Sequence, residues 1–278
     1  MSLQSKIYQF YESDIYKSRI KTDKNNLGAE LSEYHGQMLE DSELLHELGE
    51  ILEGIKMKKI DIETWKRKST YNNFIKYSNP VFSISTKVDV TELVDFCKKN
   101  GKSFFITFLY IVTICANDVE EMRSRIVDGE VISYDSVRPS YIVALENEEI
   151  ATCISDFDRD YNVFYLKVHE CIERAKRDNV ARFNDVFVSD CFYISCLPWL
   201  DFVSVSNPYN YSDVTSTSIP RITWGKYVKD SEGRYKMSID IAAHHALIDG
   251  RQVAKVYEYI NNALSSVKKY LGVGGYEG

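Results

Sequence analysis

This sequence lacks the features that mark several large classes of protein. Its 34 lysines and arginines are outnumbered by 41 aspartates and glutamates, which gives a net charge of −7. Proteins that wrap nucleic acid usually present a basic face, so we exclude a nucleic-acid function. The longest apolar run, residues 104–116, is interrupted by two threonines. It is shorter than the roughly 20 residues needed to cross a bilayer, and we expect no membrane anchor.

Cysteine and histidine are present, but not in metal-binding patterns. The six cysteines include no CxxC pair, and the chain has only five histidines. We therefore predict no metal site. Most of the cysteines lie in apolar runs, where a free thiol behaves as a small hydrophobic side chain. Because no signal peptide is seen at the start, we predict a protein of the reducing cytoplasm.

The chain divides into two parts of different character. Leucines and an isoleucine recur at helical spacing in an acidic stretch, so residues 1–56 predict a helical extension. This extension could pack on its own domain, on a neighbouring subunit or on a separate partner, and the sequence leaves these alternatives open. From residue 57 to 278 the pattern alternates between strands and helices, as is typical of one layered α/β or α+β domain.

Hydrophobic periodicity predicts the elements of this second part. We expect strands over residues 81–88, 141–144, 149–154, 191–196, 222–227 and 237–243. Asp89 or Thr91 is expected to cap a helix that ends at Gly101. A long helix is expected to run from Phe104 to Val127, and Asp128-Gly129 is a hairpin turn signal between strand-like runs. Two later helices are expected, over residues 164–177 and 253–264.

The most informative segment is HHALIDG, residues 244–250, between a predicted strand and the last helix. Histidine suits proton transfer because the pKa of its imidazole is near the working pH. Gly250 permits a tight turn into the helix. On their own the two histidines could be metal ligands or core side chains. A metal is disfavoured because successive residues on a strand point to opposite faces.

This segment resembles the HHxxxDG signature of chloramphenicol acetyltransferases and of related acyltransferases, among them the catalytic domains of dihydrolipoamide acyltransferases. Four more segments resemble the family in order and spacing: Trp65-Lys66-Arg67, VDGEVISYDSVRP at 127–139, ISCLPW at 194–199 and the pair Lys226-Tyr227. Tyr134 stands where the family usually has tryptophan. The resemblance implies a two-layer α/β sandwich with a mixed β-sheet, and acetyl transfer from acetyl-coenzyme A as a co-substrate.

The resemblance also implies roles for four residues. His245 matches the family's general base, which would take the proton of the acceptor hydroxyl and contribute perhaps ~10²–10⁴-fold to the rate. Ser195 matches the serine that stabilises the oxyanion of the tetrahedral intermediate. Asp249 would form a salt bridge with Arg67 that holds the histidine loop, rather than complete a Ser-His-Asp triad.

The binding residues follow in the same way. Residues near coenzyme A and the reacting centre in the family correspond to Trp199, Thr223, Lys226 and Tyr227, with Lys102 expected near the 3′-phosphate. Positions that enclose chloramphenicol in the family hold Phe74, Ser78, Phe82, Ile142 and Ala151 here. Only Phe82 agrees with the family, so the acceptor pocket is expected to be reshaped.

The resemblance further implies a homotrimer, in which each active site lies between subunits. Its expected partners are acetyl-coenzyme A and a small hydroxylated acceptor, chloramphenicol or a related molecule. An acetyltransferase for a different hydroxyl or amine acceptor remains the first alternative. A catalytically silent binding or scaffold protein is the second, disfavoured because the base and its supporting residues are all present.

Overall fold

The computed structural model describes residues 57–183 and 189–272. The predicted helical extension, residues 1–56, lies outside the described residues, so that prediction and the domain boundary at residue 57 stay predictions. The main sheet has six strands. In spatial order they are β2 (Val81–Asp89), β9 (Tyr235–His244), β8 (Arg221–Lys229), β7 (Cys191–Leu197), β5 (Arg138–Ala144) and β6 (Ile150–Ile154).

The sheet is mixed. Strand β7 runs parallel to both of its neighbours, β5 and β8, and the remaining pairs are antiparallel. A smaller antiparallel sheet contains β1 (Met57–Lys59), β4 (Glu130–Tyr134) and β3 (Ser124–Val127). The described helices are α1 (Lys68–Phe74), α2 (Thr91–Asn100), α3 (Phe104–Asn117), α4 (Tyr161–Asp178), α5 (Val214–Ser218), α6 (Gly250–Leu264) and α7 (Val267–Tyr270), with a 3₁₀ turn at Glu120–Arg123.

Strand register separates an apolar face of the large sheet from a polar one. One row of paired residues crosses all six strands and is largely hydrophobic: Ile84, Ile241, Ile222, Ile194, Tyr141 and Cys153. One residue along, four strands contribute what we call the polar row: Ser85, Asp240, Thr223 and Ser195. Because side chains alternate along a strand, the two rows point to opposite faces of the sheet.

The helices pack on the apolar face. The ring of Phe108 in α3 meets Trp224 of β8 edge-on at 5.0 Å between centroids. The hydroxyl of Tyr257 in α6 donates to the carbonyl oxygen of Ile84 at 2.6 Å. The predicted two-layer α/β sandwich with a mixed sheet is thus confirmed. None of the described helices is long and apolar enough to cross a membrane.

The prediction of one helix from Phe104 to Val127 is wrong. Helix α3 ends at Asn117, and residues 124–127 form β3. The physical reason is the turn at Asp128 and Gly129, which have φ angles of 52° and 79°. This turn folds β4 back onto β3, and the two strands pair through backbone hydrogen bonds. A continuous helix to residue 127 would prevent that pairing.

The predicted cap of α2 is also corrected. Val90 occupies the N-cap position, and its side chain makes no capping hydrogen bond. Asp89 lies one residue earlier and accepts hydrogen bonds from the backbone N–H of Thr91 at 3.0 Å and from its hydroxyl at 2.7 Å. The carboxylate therefore supports the first turn from outside the helix. Gly101 ends the helix in the left-handed conformation, as predicted.

Candidate active site

His245 lies just beyond the end of β9 in an aromatic setting. Its backbone N–H donates to the carbonyl oxygen of Pro80 at 2.8 Å. Its imidazole stacks on Phe74, with centroids 3.8 Å apart and planes 4° from parallel, and touches Phe82 at 4.8 Å. The Nδ1 atom is buried and has no hydrogen-bond partner among the described residues. Packing against two phenyl rings therefore orients the imidazole.

The preceding histidine is a core residue. His244 is only 1% exposed, and its Nδ1 accepts a hydrogen bond from the backbone N–H of Ala246 at 3.2 Å. Burial, helped by the nearby His245, lowers the pKa of His244 to about 4. The side chain is thus neutral at physiological pH. Of the two neighbouring histidines, only His245 is partly exposed, and its role as the general base stays a prediction.

We expect the depressed pKa of His244 to make the protein acid-labile in a defined window. Below its ordinary value of 6.5 the unfolded chain binds a proton that the folded chain refuses until about pH 4. The free energy of unfolding should therefore fall by about 3 kcal/mol from this group as the pH drops through that window. Urea titrations of wild type and His244→Asn measure it, since the variant should lack this part of the slope. Parallel stability curves would contradict the assignment.

An ion pair anchors the turn that follows His245. The Arg67 guanidinium donates to Asp249 Oδ2 at 2.9 Å. Asp249 also caps α6, because its Oδ1 accepts from the N–H of Arg251 at 2.9 Å while Gln252 accepts from the N–H of Asp249. Partial burial opposes the charge of Asp249, but the hydrogen bonds from Arg67 and Arg251 outweigh it and lower its pKa. The role of this pair in catalysis stays a prediction.

Breaking the Arg67–Asp249 pair should destabilise the folded protein, mainly because Arg67 is buried. Arg67 is 8% exposed and Asp249 37%, so replacing Asp249 with asparagine leaves a nearly buried cation without its counter-charge. We expect a loss of about 2–3 kcal/mol in unfolding free energy, below the figure for fully buried pairs because Asp249 is partly solvated. The exposed pair Lys167–Asp158, 3.4 Å apart, is the control, and Lys167→Ala should cost under about 1 kcal/mol. Equal losses in the two variants would contradict the argument.

Ser195 and Thr223 lie side by side in the polar row, because β7 and β8 pair them directly. Thr223 is buried, and its hydroxyl donates to the side-chain oxygen of Asn207 at 3.4 Å. On the next strand Ile142 follows the pair Tyr141–Ile194, so it shares the face of Ser195. These neighbours form a patch on the sheet surface away from the helices, which we call the serine cluster.

One predicted acceptor residue, Ala151, lies on the opposite face of the sheet from this patch. Ala151 is 3% exposed and lies two residues from Cys153 on β6, so both side chains point to the face that carries the helices. Thr152, paired with Ile142, is the residue of β6 that shares the face of Ser195. The alignment of Ala151 with a pocket position therefore does not bring its side chain to Ser195.

The residues expected near coenzyme A lie at the end of β8 and around it. Trp199 is 71% exposed and Lys226 is exposed, and the N–H of Lys226 donates to the carbonyl oxygen of Leu200 at 2.7 Å. The ring of Tyr227 packs against Phe104 at 4.9 Å. Farther along, the Lys102 ammonium lies 4.4 Å from the centroid of the Tyr165 ring.

His245 and Ser195 do not meet within one chain. Asp240 is level with Thr223 and Ser195, whereas His244 ends β9 four residues farther along. Four residues span about 13 Å, and two strand spacings add roughly 10 Å sideways. The chain therefore carries two separate groups, the serine cluster and what we call the histidine cluster: Arg67, Phe74, Phe82, His245 and Asp249. Ser78 is exposed between α1 and β2, on the side of the histidine cluster.

Sequence reasoning missed Asp240, a fully buried carboxyl in the polar row. Burial raises its pKa, although hydrogen bonds from Ser85 and Ser83 work in the opposite direction. The available signal was a single acidic residue within an otherwise apolar and small-residue strand, MSIDIAA.

This chain is similar to chloramphenicol acetyltransferases in both sequence and fold. Residues 55–262 match the family model of chloramphenicol acetyltransferase. A chloramphenicol acetyltransferase of Proteus mirabilis is 31% identical over 202 residues, which cover 72% of this chain and 91% of that protein. Chloramphenicol acetyltransferase 3 of Escherichia coli is 28% identical over 213 residues, covering 76% of this chain and 98% of that protein.

A solved structure of a chloramphenicol acetyltransferase superposes with a TM-score of 0.66 at 28% identity. The match covers 75% of this chain and 100% of that one. Sequence and fold therefore lead to the same family. The chain belongs to the chloramphenicol acetyltransferase family of acyltransferases.

Proposed function

We propose that this protein is an O-acetyltransferase that moves the acetyl group of acetyl-coenzyme A to a hydroxyl of chloramphenicol or a related small molecule. The observation that carries the proposal is the setting of His245. Its imidazole is held between aromatic rings, at a turn that the Arg67–Asp249 pair fixes to α6. A histidine oriented in this way, in a chain of this family, is suited to act as a general base.

The reaction needs no acyl-enzyme. A neutral His245 takes the proton of the acceptor hydroxyl while that oxygen attacks the thioester carbonyl. The Ser195 hydroxyl donates a hydrogen bond to the oxyanion that forms. When the intermediate collapses, the C–S bond breaks and the coenzyme A thiolate takes the proton from the imidazolium. The products are the acetyl ester and free coenzyme A.

A triad is disfavoured by the partners of Asp249. One carboxylate oxygen accepts from Arg67 and the other from the first turn of α6. Asp249 is therefore engaged in holding the turn. Ser195 is distant from His245 within the chain, which disfavours a serine nucleophile activated in the same subunit.

The distance between the two clusters supports an active site shared by two copies. A base and an oxyanion donor must both lie within hydrogen-bond reach of one substrate. Because one chain cannot supply both, His245 of one subunit would face Ser195 of the next. A head-to-tail contact between subunits forms a ring when its rotation closes, and, following the family resemblance, we propose a homotrimer.

Coenzyme A would lie along the exposed edge formed by Trp199, Lys226 and Tyr227, with Thr223 near the thioester. Trp199 offers an apolar surface, and Lys226 and Lys102 supply positive charge for phosphates. The described cysteines are free thiols, which supports a cytoplasmic enzyme.

The acceptor is the part of the proposal most open to change. Ser78 and Ile142 stand at positions where the family holds other residues, so an acetyltransferase for a different hydroxyl or amine acceptor is the second candidate. Release of free thiol from acetyl-coenzyme A is the test, measured with chloramphenicol and with a panel of alcohols and amines. Turnover of another acceptor alone would favour the second candidate. Absence of turnover with every acceptor would contradict both and favour a silent scaffold.

A further inference from the structure

The polar row holds a carboxyl group with a free bonding position. Asp240 is 0% exposed, and its Oδ1 accepts a hydrogen bond from the Ser85 hydroxyl at 2.5 Å. Its other oxygen, Oδ2, is buried and makes no hydrogen bond of regular geometry among the described residues, although the Ser83 hydroxyl, on the same face of β2 as Ser85, also lowers the pKa of this carboxyl. Strand pairing places Asp240 directly beside Thr223, and Thr223 beside Ser195.

Segment 201–213 covers this part of the sheet and brings more unpartnered groups. Asn207 accepts from the Thr223 hydroxyl at 3.4 Å, and the ring of Tyr209 stacks on the Arg221 guanidinium at 3.8 Å. Among the described residues, buried atoms without partners also include Asn207 Nδ2, the Tyr209 hydroxyl and Arg221 Nε. No ion pair between Arg221 and Asp240 relieves the carboxyl in the described part of the chain. We call Asn207, Tyr209, Arg221 and Asp240 the acceptor-end cluster.

Such a concentration of unpaired groups calls for a polar ligand. A buried donor or acceptor without a partner destabilises the folded protein, and the effect is larger for a charged group. Here four such atoms belong to residues that lie on one face of the sheet, Arg221 and Asp240, or contact that face, Asn207 and Tyr209. Asp240 offers an acceptor, whereas Asn207 and Arg221 offer donors, so the ligand that fits must carry hydrogen-bonding groups of both kinds.

The position of the cluster tells which part of a ligand would reach it. Asp240 lies two strands from Ser195, a lateral distance of about 10 Å. If acetyl transfer takes place at Ser195, Asp240 meets the end of the acceptor that is remote from the reacting hydroxyl. Segment 201–213 covers the carboxyl in the free chain. The proposal therefore requires this segment, which carries the exposed side chains of Val203 (89%) and Tyr211 (50%), to move when the acceptor binds.

We propose that Asp240 sets the acceptor specificity of this enzyme by accepting a hydrogen bond from a hydroxyl or amino group at the remote end of the acceptor. The inference rests on the proposed acetyl transfer and adds a substrate class to it. The nitro group of chloramphenicol can only accept hydrogen bonds, so it has nothing to offer this carboxyl. The aryl amine obtained by reducing that nitro group presents donors at the same place.

The test compares these two acceptors, which share the reacting hydroxyl and differ only at the remote end. Thiol release gives kcat and KM for each, with wild type and Asp240→Asn. We expect wild type to favour the amine by about tenfold or more in kcat/KM, the effect of one hydrogen bond to a charged group. The asparagine NH₂ can donate to the nitro group, so the variant should lose or reverse that preference, mainly through KM.

Other outcomes overturn the inference. Equal losses of kcat on both acceptors would mean that Asp240 only supports the fold, and an unchanged preference would mean that no acceptor reaches it. Asp95→Asn, at an exposed carboxylate on α2, is the matched control, and circular dichroism with size-exclusion chromatography checks that each variant folds and assembles.

Failure of the proposed function is recognised separately, by absent turnover of either acceptor in wild type. Calorimetric binding of the amine and the nitro compound to wild type and Asp240→Asn then still decides the inference. Equal affinities of the two compounds for wild type would overturn it.

Discussion

Replacing His245 with alanine should lower the rate of acetyl transfer by about 10²–10⁴-fold, the range typical of a general base. An alcohol is a poor nucleophile until its proton leaves, and no second titratable group of the described histidine cluster is free to take it. Arg67 and Asp249 are paired with each other, and His244 is buried with a pKa of about 4. Thiol release from acetyl-coenzyme A with a saturating acceptor measures the change.

Two controls separate loss of the base from loss of the fold. His169 is exposed on α4, so His169→Ala should retain full activity. Because His245 does not lie among the residues proposed to hold coenzyme A, His245→Ala should bind coenzyme A with unchanged affinity. A variant that keeps more than a tenth of the wild-type kcat would contradict the assignment of His245 as the base.

The second large effect concerns mixtures of two inactive variants. His245→Ala lacks the base, and Ser195→Ala lacks the oxyanion donor, whose removal costs about 10²–10³-fold. If each active site combines His245 of one subunit with Ser195 of the next, mixed oligomers contain some intact sites. Random assembly of equal amounts should restore about a quarter of the wild-type sites. The acetyl-transfer activity should thus rise from a few per cent of the wild-type value or less to about 25% of it.

The experiment uses the full chain, with the two variants unfolded together and refolded as a mixture. Each variant refolded alone provides the baseline, and the two variants refolded separately and then combined test whether subunit exchange is required. A site built within one chain would give only the average of the two parents. Such a result would contradict the shared site.

Local sequence patterns were enough to predict several strands, a hairpin turn and the family of this protein. Alternation of apolar residues predicted β2 and β9, because a half-buried strand repeats every second residue. Asp128-Gly129 predicted the hairpin, because both residues tolerate positive φ. The HHALIDG segment, with its ordered companions, led to the family and to His245. Each of these signals needs only a few neighbouring residues.

Tertiary structure decided which of these residues act together. Pairing between strands turned Ile142 toward Ser195 and Ala151 toward the helices. Long-range packing brought Phe74 flat against His245, and the register of β8 and β9 separated His245 from Ser195. The same register places Asp240 beside Thr223, where it is buried. The face and depth of a side chain depend on partners far away in the chain, so no local pattern contains them.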